Sequence, residues 1–291
     1  MKNIVFKGCG TAIATPFNEN GVNLEEFAKL VEEQIKNEVD AIIVCGTTGE
    51  SSTMTTEEKL QTIECAVKVS NGRVPIIAGT GSNNTKAVIE MNKKVKELGV
   101  DGLLIVTPYY NKTTQKGLIE HYKVIAENTD LPIIMYSVKS RTGVNITPET
   151  CLELSKIDNI VAIKEASGDL SQIADIAHLC GDNLTIYSGN DDQIVPILSL
   201  GGKGVISVLS NIKPKYTHDI CQNFFDGNTE KAAKMQLDAI PLIRALFSEV
   251  NPIPVKAALN MIGYNYGIPR LPLIEMSEEG KEKLKKTLWE V

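Results

Sequence analysis

A lysine stands where a buried strand runs out. Val161-Ala-Ile-Lys-Glu-Ala-Ser-Gly168 opens as an apolar run and breaks at Ser167-Gly168, which puts Lys164 at the strand's C-terminal end. Such a lysine ordinarily snorkels to solvent on its alkyl stem. Held in a low-dielectric pocket instead, its ammonium is disfavoured and the neutral amine becomes a nucleophile for carbonyl carbon. What else converges on it decides between the two. Thr47 and Thr48 (in Gly46-Thr-Thr-Gly-Glu50), Tyr109 and Tyr110, Tyr136, and Arg141 each end or follow an apolar run. Singly, these are a turn, aromatic packing with a solvated hydroxyl, and a surface charge. Together they bring hydroxyls, a cation and an amine to strand ends. That set suits a carboxylate substrate with a reactive carbonyl, and Arg141 is its natural carboxylate partner, because a planar guanidinium binds bidentately.

Other chemistries lack their residues. His121, His178 and His218 fall in separate helical patterns with no metal-ligand spacing, and no HExxH is present. No GxSxG elbow supports a serine hydrolase. Gly189-Asn-Asp-Asp192 carries two aspartates in a loop that would repel a sugar phosphate.

Positioning these groups requires a scaffold, and its elements alternate. Strand-like runs fall at Gly10–Phe17, Asp40–Cys45, Val74–Gly79, Asp101–Val106, Leu131–Tyr136, Ile160–Lys164, Asn183–Ser188 and Gly204–Val208. Helical patterns follow each one. Asn23 with Glu26, and Thr55 with Glu58, have capping-box spacing. Thr147-Pro148 is a helix start. Runs of Ile, Val, Leu and Ala without strict alternation indicate strands covered on both faces, hence a parallel sheet. Eight such units predict a (β/α)8 TIM barrel, with catalytic groups at the C-terminal ends of its strands. A doubly wound sheet is the alternative, but no strand-linked GxGxxG and no P-loop support it. Asp226-Gly227-Asn228 marks a junction. The expected organisation is a catalytic barrel over 1–226 and an all-helical subdomain over 227–291.

Composition bounds the rest. The chain has 291 residues, 43% of them apolar, and a formal net charge of −6. That argues for one large core and against nucleic acid or an anionic membrane as partner. Six scattered cysteines without a CxxC pair read as small buried hydrophobes in a reducing compartment. No signal peptide and no membrane-spanning run is visible, so the expected location is the cytoplasm.

Gly46-Thr-Thr-Gly-Glu50, Thr107-Pro-Tyr-Tyr-Asn111, Ser140-Arg-Thr-Gly143, Ile163-Lys-Glu-Ala-Ser-Gly168, Ser188-Gly189 and Gly204-Val-Ile-Ser207 occur in this order. They resemble the dihydrodipicolinate synthase family over essentially the whole chain. That family lies among the pyruvate-dependent class I aldolase-like barrels, which include N-acetylneuraminate lyase. The resemblance implies that Lys164 forms a Schiff base with pyruvate and that Tyr136 beside it handles protons. It implies a hydroxyl relay of Thr48, Tyr110 and Tyr136, with Tyr110 entering the neighbouring subunit's site. By the same resemblance Thr47 and Thr48 hold the pyruvate carboxylate, Arg141 receives aspartate semialdehyde, and Gly189 and Ile206 line the pocket through their backbones. It further implies condensation to 4-hydroxy-tetrahydrodipicolinate on the way to diaminopimelate and lysine. No metal or cofactor is implied, and the assembly is a homotetramer of two tight dimers.

Two features separate this chain within the resemblance. Lys139 stands where the family more often has proline, which removes a backbone lock ahead of Arg141. The positions matching a lysine inhibitor site are Ser51, Ser52, Thr56, Lys59, Asn83, Ala87 and Tyr109, with alanine where a carboxylate would meet an ammonium. Feedback by lysine is therefore expected to be weak or absent. The competing readings are a sister aldolase cleaving sialic acid or a keto-sugar acid, against which Arg141 speaks, and a catalytically silent relative, against which Lys164, Tyr136 and Thr48 speak.

Overall fold

The computed structural model describes Lys2 and residues 4–290. Eight strands close a parallel barrel. They are β1 (Gly8–Ala12), β2 (Ala41–Val44), β3 (Ile76–Gly79), β4 (Gly102–Val106), β5 (Ile133–Ser137), β6 (Ile160–Glu165), β7 (Thr185–Ser188) and β8 (Gly204–Ser207). Each pairs with its neighbours in sequence, and β8 pairs with β1 to close the ring. Closure brings two backbones close together: a Cβ at Gly204 would overlap the Gly8 carbonyl oxygen.

The expected barrel is present, with one boundary corrected. β1 covers Gly8–Ala12 and not Gly10–Phe17. Ile13 still donates to the Ile43 carbonyl, but Pro16 has no N–H to extend a ladder. Phe17 belongs to a small antiparallel hairpin, Phe17–Asn18 against Gly21–Val22.

Both strand faces are apolar because both are buried. Ile43, Ile77, Leu104, Ile134, Ala162 and Ile206 fill the barrel interior, where Phe6 stacks on Tyr187 with ring centroids 4.2 Å apart. Ile42, Ile76, Leu103, Ile105, Ile133, Met135 and Ile163 pack outward against the helices. One irregularity decides the site. Ile160 lies opposite Ile133 while Ala162 lies opposite Ile134, so Val161 is an extra residue in β6. This bulge shifts the alternation by one. Ala162 and Lys164 therefore face inward, and Ile163 and Glu165 face outward.

The helix starts follow the sequence signals. Thr55 and Glu58 form a complete capping box on helix Thr56–Ser70, and Thr147 caps Pro148–Leu154. Asn23 caps Leu24–Lys36, but the Glu26 carboxylate turns away to accept from the Asn265 amide. The C-terminal part is not all helix. Helices Thr229–Asp238, Ile240–Leu246, Ile253–Met261 and Glu278–Thr287 are interrupted by an irregular stretch over 262–276, where Gly263, Gly267, Pro269 and Pro272 oppose helix. That stretch is tied to the barrel. Lys256 and Glu50 form a buried ion pair at 2.8 Å, and Glu50 also accepts from the Arg270 amide.

All six cysteines are free, and only Cys65 is not buried. Among the described residues no cluster of His, Cys, Asp or Glu could hold a metal ion, and no helix is long and apolar enough to cross a membrane. Of the three histidines, His178 is exposed, His121 is buried against Thr85, and His218 is paired with Asp40 at 2.9 Å.

Candidate active site

β5 and β6 set the centre. In their register Tyr136 lies directly opposite Lys164, and Tyr187 of β7 flanks it on the other side. Lys164 is 5% exposed, and its ammonium lies 4.3 Å from the centroid of the Tyr136 ring. Among the described residues no carboxylate forms an ion pair with it within 4.0 Å. The amine is thus buried beside a ring face at the strand's C-terminal end.

The next residue supplies the anchor. Glu165 points outward, accepting from the Ser167 backbone and hydroxyl and from Gln172 Nε2 at 2.9 Å. Burial pushes its carboxyl above the usual range, against those hydrogen bonds. Gln172 also meets Asn145, which meets Ser137 of β5. This polar network lies behind the strand pair carrying Tyr136 and Lys164 and locks its register.

Thr47 and Arg141 line a cavity of about 350 Å³, with Val138, Thr142, Thr80 and Tyr109. A smaller one, about 40 Å³, shares Thr47 and reaches Tyr136. Thr48 is buried, and its hydroxyl accepts from Asn251 Nδ2 at 3.0 Å. Arg141 sits on the short helix Lys139–Thr142 and donates to the Asn251 carbonyl at 3.1 Å. Lys139 is the first residue of that helix, where a backbone N–H has no helical partner in any case. The loop is held instead by Thr142, whose hydroxyl bonds Val138, Val144 and Thr107.

Gly189 fits only as glycine, because a Cβ would lie 2.6 Å from Ala166 Cβ, and its N–H bonds the Glu165 carbonyl at 2.7 Å. Ile206 faces the barrel interior on β8. Tyr110 does not join this group within its own chain. It is 92% exposed at φ +70°, an uncommon conformation for a bulky residue. Asn83 holds the turn by donating to the Tyr109 carbonyl.

The loop after β7 carries the two aspartates in different settings. Asp191 is buried and its carboxylate caps the backbone, accepting from Val208 and Leu209 at 3.0 and 2.9 Å. Burial raises its pKa, against its hydrogen bonds and the Lys164 charge. Only Asp192 is exposed. Sequence reasoning missed Asn251, the inward turn of the Asp191 carboxylate and the Glu165 network. Glu165 alone left a signal, a carboxylate inside an apolar strand.

The family model described as the dihydrodipicolinate synthetase family matches residues 5–291. The chain is 59% identical to a 4-hydroxy-tetrahydrodipicolinate synthase of Caldicellulosiruptor saccharolyticus, over 98% of this chain and 96% of that one. It is 56% identical to 4-hydroxy-tetrahydrodipicolinate synthase 1 of Clostridium acetobutylicum, over 98% and 97%. The crystal structure of dihydrodipicolinate synthase from Thermotoga maritima superposes with a TM-score of 0.96 at 44% identity, covering 98% of each chain. With its barrel, its buried strand-end lysine and these relatives, the chain belongs to the dihydrodipicolinate synthetase family.

Proposed function

We propose that this protein condenses pyruvate with L-aspartate-4-semialdehyde to 4-hydroxy-tetrahydrodipicolinate, an early step toward diaminopimelate and lysine. The carrying observation is the buried Lys164 amine against Tyr136 in a chain that matches synthases of that name end to end. Lys164 Nζ adds to the pyruvate carbonyl and water leaves, giving an iminium. The iminium is the electron sink, so a methyl proton is lost and an enamine carbon attacks the aldehyde. The semialdehyde's own amine then closes the ring at the imine carbon and releases Lys164. Metal and cofactor are unnecessary for this sequence.

In this reading Thr47 and Thr48 hold the pyruvate carboxylate, Tyr136 with Thr48 and Tyr110 moves protons, and Gly189 and Ile206 present backbone to the substrate. Arg141 selects the second substrate. Its guanidinium lines the cavity and is held by a neutral carbonyl, so its charge is free for a carboxylate. Arg141→Ala should raise the KM for the semialdehyde at least roughly tenfold while pyruvate still forms the imine. Equal loss for both substrates in steady-state and imine-trapping assays would make the loop's role structural.

The working unit is a homotetramer of two tight dimers, located in the cytoplasm. Tyr110's exposure supports the assembly, because a relay tyrosine that is 92% exposed in its own chain needs another chain's site. Mixed assemblies of Tyr110→Phe and Lys164→Ala chains should regain activity that neither parent has; no recovery in verified mixed dimers would confine Tyr110 to its own chain. The division at 226/227 stays part of this proposal, supported by the Gly227 turn at φ +84°.

Lysine should inhibit weakly or not at all. Ser51, Ser52, Thr56, Lys59, Ala87 and Tyr109 line the 350 Å³ cavity, whose charged linings among the described residues are Lys59 and Arg141. The alternative is that Glu58 or Glu90, about a helical turn away, replaces the carboxylate; Arg270 and the Thr55 cap hold Glu58 with a pKa pulled down to about 2, while Glu90 is exposed beside Lys86. Titration with L-lysine at subsaturating pyruvate should show no inhibition below about 1 mM; sub-millimolar inhibition would mean that another group meets the ammonium.

A further inference from the structure

We infer that Asn251 is a positioning residue whose side chain sets the direction of Thr48's hydroxyl hydrogen, while its backbone carbonyl holds Arg141. It lies in the turn between helices Ile240–Leu246 and Ile253–Met261, far from the barrel strands in sequence, and is 6% exposed. Its Nδ2 donates to Thr48 Oγ1 at 3.0 Å, and its backbone carbonyl accepts from Arg141 Nη2 at 3.1 Å. One residue therefore contacts both the hydroxyl assigned to pyruvate and the guanidinium assigned to the semialdehyde.

The polarity of the first bond carries the consequence. A hydroxyl has one hydrogen and two lone pairs. With one lone pair engaged by the amide, Thr48 must aim its single hydrogen elsewhere. Its hydrogen is thereby free for the substrate or for a relay partner. Asn251 Oδ1 is buried with no partner, so the side chain is held by its donor side alone. Arg141, by contrast, is bonded to the backbone and does not depend on which side chain stands at 251.

This rests on Thr48 acting in the proposed reaction, and the test separates the two. Asn251→Asp keeps size and shape but turns the donor into an acceptor, so Thr48 must donate to it. We expect kcat to fall at least roughly tenfold, within the range of a disturbed proton-transfer step; the semialdehyde KM is read in Asn251→Ala, which adds no charge beside Arg141, and should change less than about threefold there. Asn251→Ala, which removes the donor without adding charge, should fall between wild type and Asn251→Asp. Thermal unfolding of each variant normalises for the folded fraction. Adding Asn251→Asp to Thr48→Val should cost nothing further, since no hydroxyl remains to misdirect. Equal loss with and without the Thr48 hydroxyl would overturn the inference. Full activity of Thr48→Val alone would instead overturn the role given to Thr48.

Discussion

Replacing Lys164 by alanine lowers turnover by at least about a thousandfold while the chain still folds. The expectation follows from geometry. Lys164 is the residue that the β6 bulge turns into the barrel, at the strand end where Tyr136 faces it. Thr47, Thr48 and Arg141 can still bind carboxylates without it, but none of them can form an imine. Loss of a covalent nucleophile removes a route, not an increment, so only residual binding and polarisation remain. Lys164→Arg is the sharper control. It places a positive charge beside the Tyr136 ring, yet a guanidinium stays protonated and cannot attack a carbonyl. Steady-state assays on both variants should find both equally inactive. Substantial activity in Lys164→Arg would mean that the charge matters and the covalent step does not.

The second large effect is on stability. Lys256→Met should destabilise the protein by about 3–5 kcal/mol, the usual cost of leaving one partner of a buried pair uncompensated. The side chains of Lys256 and Glu50 are 1% and 2% exposed. The ammonium also donates to the Ile268 carbonyl and lies 4.3 Å from the centroid of the Phe17 ring. Burial pulls the Lys256 pKa down, and the attraction of Glu50 opposes that shift. With the lysine removed, Glu50 keeps its bond to the Arg270 amide but loses its counter-charge. Glu50→Gln combined with Lys256→Met removes both charges and should be milder than Lys256→Met alone. Urea unfolding of the three variants decides this, and a double variant as damaged as the single one would show that packing, not charge, holds the site. Glu50 ends the turn that carries Thr47 and Thr48, so the unstable variant should also bind pyruvate less well.

The barrel was legible in the sequence because a strand buried on both faces must be apolar at every position. The runs at Ala41–Val44, Gly102–Val106 and Ile133–Met135 state this without a partner strand. Lys164 was legible because it interrupts such a run. What was not legible depended on phase or on distance along the chain. The extra residue at Val161 leaves no mark, since one more valine in an apolar run looks like any other, yet it decides which face Lys164 takes. Asn251 reaches Thr48 from 203 residues away and Arg141 from 110, and no local pattern announces that. The burial of Asp191 was not legible because its partners are backbone amides, which every residue carries. The end of β1 was overrun because Ile13 and Ala14 remain buried after the strand assignment stops. The stretch over 262–276 read as helix although four of its residues are Gly or Pro, because the helices on either side set the period.

Pyruvate followed by borohydride, with mapping of the modified peptide by mass spectrometry, tests the central claim most directly. Borohydride reduces an iminium to a stable secondary amine and so records where the carbonyl was held. The expected result is one reduced pyruvate per chain, on the peptide containing Lys164, abolished in Lys164→Ala. Labelling of Lys59, Lys256 or any other lysine in its place, or no labelling of a fully active preparation, would contradict the assignment of Lys164 as the covalent residue.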